Sequence, residues 1–185
     1  MIRKLFALIM FLISAAAIVM VLFGVVAVWD NETISTISST LGGDSIKEEF
    51  SGLEYFLGKT NKDNLLNFKM STVGMALLAC LALTAILALV RVISPGSGGD
   101  ILAGLLVLAA LAAGIMLLVC TQKFAIEFDT ENSATINSYA TLTGKSIYEV
   151  VSKGLSIGSA SIIAALCCLA NVVLGVLDTI FNRKK

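Results

Sequence analysis

Histidine is missing from the 185-residue chain, and proline occurs once, at Pro95. The lack of His removes the commonest general base and a frequent metal ligand. Charge is scarce as well. Charged residues make up 14% of the chain, against about 25% in a typical soluble domain. The 13 basic and 13 acidic residues cancel, and no clustered basic face points to a nucleic-acid partner. There is also no block of like charge long enough to form a disordered tail.

Cysteine is missing from the polar loops. Cys80, Cys167 and Cys168 lie inside apolar runs and Cys120 ends another, whereas a disulfide-stapled outer module places its cysteines in loops. Adjacent Cys167 and Cys168 do not form the C-x-x-C of a redox enzyme. The cysteines therefore read as small apolar packing residues.

What replaces the missing charge is aliphatic. Hydrophobic residues make up 57% of the chain and the mean hydropathy is +0.94. Crossing a hydrocarbon core of about 30 Å takes roughly 20 apolar residues in a helix. Four segments free of internal charge meet that requirement: residues 5–29, 71–90, 101–120 and about 155–177. The first is too long for the 7–15-residue core of a cleaved signal peptide, and so reads as an uncleaved anchor. Between the second and third, Ser94-Pro95-Gly96-Ser97-Gly98-Gly99-Asp100 cannot continue a helix, so those spans form a tight antiparallel hairpin. The fold expected is all-α, a polytopic bundle of four transmembrane helices.

The charges that flank the spans set an orientation. Arg3 and Lys4 precede the first span, Arg91 borders the short turn, and Arg183, Lys184 and Lys185 end the chain. The long loops are net acidic, with seven acids against four Lys in residues 30–70 and four against three in residues 121–153. Both termini and the turn are therefore expected in the cytoplasm of a plasma membrane, with a bacterial one suiting the composition. Trp29, at the far end of the first span, reads as an interfacial anchor.

The two long loops share a pattern. Thr40-Leu41-Gly42-Gly43-Asp44-Ser45-Ile46-Lys47-Glu48-Glu49-Phe50-Ser51 and Thr141-Leu142-Thr143-Gly144-Lys145-Ser146-Ile147-Tyr148-Glu149-Val150-Val151-Ser152 agree at seven of twelve ungapped positions. The match implies one helical hairpin used twice. The first copy is residues 1–94, with spans at 5–29 and 71–91 around the outer loop 30–70. Residues 95–100 form the turn. The second copy is residues 101–185, with spans at 101–120 and 155–180 around the loop 121–154. Ser45 with Glu48, and Ser146 with Glu149, each fit an S-x-x-E capping box, with Gly43 and Gly144 supplying the preceding turn. Each loop is thus expected to launch a short helix, the first carrying Ile46, Phe50, Leu53 and Leu57 on one face and ending at Gly58. The second, from Ser146, is expected to run almost directly into the fourth span through Val150 and Val151, with Ile147 in its first turn and Gly154 as its weak point. Capping accounts for the motif, and it can also form a duplicated partner surface carrying Thr40, Leu41, Thr141 and Leu142.

Other motifs carry less. Gly144-Lys145-Ser146 resembles the end of a phosphate-binding loop, but the earlier glycine that loop requires is Tyr139 here. Asn31-Glu32-Thr33 fits a glycosylation acceptor at the membrane edge and reads as a chance match. No ionisable residue lies mid-membrane, where transport chemistry would place one. Asn171 is the one strongly polar residue deep in a span, with Thr84 and Ser14 weaker, and it reads as an interhelical hydrogen bond. Arg91 and Asp178, near the ends of their spans, can pair, with Arg183 as a competitor. Small residues recur at helical spacing: Ala76, Cys80, Thr84 and Ala88; Ala110 and Gly114; Ser161, Ala165, Cys167, Asn171 and Gly175. Such stripes let helices approach closely.

The two-hairpin layout with a longer first loop is similar in outline to the tetraspan junction proteins of the claudin type. That family's first loop carries a Trp/Gly-Leu-Trp and paired-Cys signature, and residues 30–70 contain no Cys, so no family is assigned. The function expected is non-enzymatic, with no cofactor, metal or nucleotide. The chain reads as a structural or accessory subunit that contacts the lipid bilayer and binds copies of itself or another membrane protein. The alternative is a pore or transport subunit. Strict burial of Asn171 counts against that alternative, and polar residues on an exposed face of the fourth span would favour it.

Overall fold

The computed structural model describes residues 2–30, 47–58, 70–94, 99–124 and 134–183. Four long helices are apolar enough to cross a membrane: α1 (Ile2–Phe23), α3 (Thr72–Ile93), α4 (Gly99–Phe124) and α7 (Ser159–Arg183). Each has 22–26 residues, or at least about 33 Å at 1.5 Å per residue, enough for a bilayer core. Helix α1 packs against α3 and α7, and α4 packs against the same two, so the order around the bundle is α1, α3, α4, α7. Their outward faces carry mainly leucine, isoleucine and valine, with some methionine and phenylalanine, as a lipid environment demands. This marks a multi-pass membrane protein.

The all-α expectation is corrected at one end of the bundle. There, β1 (Val25–Asp30), β2 (Lys47–Ser51) and β3 (Leu155–Ile157) form an antiparallel sheet in the order β2-β1-β3. Val28 faces Glu49 on one side and Ser156 on the other, while Trp29 faces Glu48 and Leu155. The first span thus ends at Phe23 rather than Trp29, and the fourth begins at Ser159 rather than Leu155. The reason is physical. A run of 25 apolar residues exceeds what one crossing needs, and after Gly24 the text turns to Val25-Val26-Ala27-Val28-Trp29, rich in residues that suit strands. Pairing with β2 and β3 then satisfies the backbone groups that a helix would have satisfied internally.

Trp29 is accordingly no interfacial anchor. It is fully buried in a core cluster that also holds Phe50, Tyr55 and Phe56 from the sheet layer, Val21, Leu77 and Leu117 from the spans, and Val150 and Val151. Sheet and bundle therefore share one core. A second, smaller cluster, centred on Met10, Leu87, Ala88 and Leu106, fills the bundle further from the sheet.

Among the described residues the outer layer also holds three short helices: α2 (Gly52–Leu57), α5 (Ala134–Thr143) and α6 (Ile147–Gly154). Helix α6 does not run on into the fourth span. It stops at Gly154, where a Cβ would stand 2.5 Å from Trp29 Nε1, and the chain passes into β3.

Candidate functional site

The residues singled out by sequence fall in two places, the outer layer and the bundle axis. Of the outer motif, Thr40, Leu41, Gly43, Ser45 and Ile46 lie outside the described residues. Glu48 lies in β2, opposite Trp29. It therefore cannot be the third residue of a capped helix, and the Ser45–Glu48 capping box is corrected. The box that starts the first short helix sits six residues on. Ser51 caps α2, its Oγ accepting from the Glu54 amide at 3.4 Å while its own amide donates to Glu54 Oε2 at 3.1 Å. Ser51-Gly52-Leu53-Glu54 is itself an S-x-x-E, so the signal was present in the sequence. Helix α2 ends at Gly58, whose φ is 91°.

The second copy of the motif adopts the capped form. Ser146 Oγ accepts from the Glu149 amide at 3.2 Å and the Ser146 amide donates to Glu149 Oε2 at 3.1 Å. Gly144 has φ +65° and closes α5, and Lys145 N donates to Ala140 O at 3.1 Å. The Thr141 hydroxyl donates to Asn137 O at 2.8 Å. Ile147 packs inward on the core. Leu142, at 86% exposed, and Tyr148 project away from it. The two motif copies thus take different conformations, a strand at Glu48 and a helix at Glu149.

The axis holds a chain of polar groups. Asn171 on α7 donates its amide to Ser14 Oγ on α1 at 2.9 Å, and Ser14 donates onward to Met10 O at 2.8 Å. Thr84 on α3 donates to Cys80 O at 2.8 Å. All three polar side chains are buried. Along α1, α3 and α7 each lies between residues of the large cluster (Ala17, Leu81, Cys168) and residues packed in the smaller one (Met10, Leu87, Leu174). Together they form a polar waist that divides two apolar cores. Asn171 Oδ1 is buried there without a hydrogen-bond partner.

One heptad further along α3 and α7, at the end away from the sheet, Arg91 Nη2 pairs with Asp178 Oδ2. Both side chains are nine-tenths or more buried. The pair joins helices on opposite corners of the bundle. Gly114 and Gly175 are packing positions: a Cβ at Gly114 would stand 3.3 Å from Cys168 Cβ, and one at Gly175 would stand 2.6 Å from Val107 Cγ2. Ser161, read from the sequence only as a small packing residue, also donates its hydroxyl to Val26 O at 2.9 Å and ties α7 to β1.

Chemically, the arrangement binds helices together. Among the described residues no three metal-ligating side chains come together. Among the described side chains, the exposed face of α7 carries Ile162, Leu166, Leu169, Val173, Val176 and Ile180, with no polar cluster. Outside the spans, Lys47 Nζ pairs with Glu49 Oε1 at 2.9 Å on the exposed face of β2, and that hydrogen bond raises the Lys47 pKa. No family model, curated protein or solved structure matches the chain.

Proposed function

We propose that this chain is a non-enzymatic structural or accessory subunit of a membrane assembly, binding copies of itself or another membrane protein. The observation that carries the reading is how the polar groups of the spans are used. Asn171 meets Ser14 and Arg91 meets Asp178 inside the bundle, while the outward faces are apolar. A pore between subunits needs a polar strip on an outward face, and among the described side chains the outward face of α7 is apolar. Burial of Asn171 weighs against the pore in the same way.

The contact surface we favour is the outer layer. Leu142 and Tyr148, in the α5–α6 segment that carries the motif, expose large side chains outside the spans. The recurrence of that motif in residues 40–51 supports a duplicated hairpin. Arg3, Lys4 and Arg91 at the end away from the sheet support cytoplasmic termini in a plasma membrane.

A photo-reactive phenylalanine analogue in place of Leu142, irradiated in the native membrane, tests the surface. Adducts of discrete mass are expected. Absence of adducts from positions 142 and 148 alike removes the outer layer as a partner surface.

A further inference from the structure

We draw no further inference here: the strongest candidate, the outward-facing apolar groove of about 240 Å³ between α4 and α7 lined by Ala110, Gly114, Ile115, Ala165 and Leu166, carries nothing because nothing in the structure shows what covers it.

Discussion

Gly154 lies against the indole of Trp29 so closely that a Cβ at position 154 would stand 2.5 Å from Nε1 and 2.9 Å from Cε2. The missing side chain at position 154, where α6 ends, lets the largest side chain of the protein fill the junction between sheet and bundle.

Gly154→Ala is therefore expected to push Trp29 out of place. Overpacking of this kind costs about 1–3 kcal/mol. Trp29 is the only tryptophan in the chain, so intrinsic fluorescence reads its surroundings directly. A red-shifted emission with lower resistance to detergent unfolding is expected. An unchanged spectrum and unchanged resistance would show that the junction yields without strain.

The ion pair between Arg91 and Asp178 leads to a second expectation. Removing one partner of a buried pair leaves a charge without compensation, at a cost of about 3–5 kcal/mol, whereas replacing both with apolar residues is often neutral. Arg91→Met and Asp178→Leu should each destabilise the bundle, and the double variant should be more stable than either. Unfolding titrations in mixed micelles measure this. Additive losses would mean that the two side chains do not depend on each other.

The third expectation concerns the caps. Ser51→Ala and Ser146→Ala each remove the acceptor at a helix start, at a cost of about 1 kcal/mol. Each variant should open its own short helix to protease, α2 in the first case and α6 in the second. Glu48→Gln, in a strand, should leave the protection of α2 unchanged. Equal sensitivity of all three variants and the parent protein would remove the capping account.

Much of the bundle was legible in the sequence. Spans of about 20 apolar residues cannot hide, and the four of them fix the membrane class. Arg91 and Asp178 stood out as charges at the edges of apolar runs, and Asn171 as a lone amide within one. The Ser146 cap was readable because its partner lies three residues away, within one helical turn.

The sheet was not legible, for reasons visible in its residues. Val25 to Trp29 continue the hydropathy of α1 without a break, and a hydropathy window does not separate a buried strand from the last turns of a helix. Strand β2 begins Lys47-Glu48-Glu49, residues that favour helices, and it becomes a strand by pairing with β1. The third strand pairs Ile157 with Ala27, a contact 130 residues apart that local pattern does not encode. The same tertiary override displaced the expected capping box from Ser45 to Ser51. The polar waist needed the structure too: Ser14, Thr84 and Asn171 lie on three different spans, and only the packing of α1, α3 and α7 brings them to one level between the two apolar clusters.

Native mass spectrometry of particles released gently from the protein's own membrane tests the central claim most directly. The account predicts the chain together with a second protein in fixed ratio, or an open-ended ladder of its own masses. A lone monomer, or a closed ring of identical chains that conducts ions on reconstitution, would contradict it.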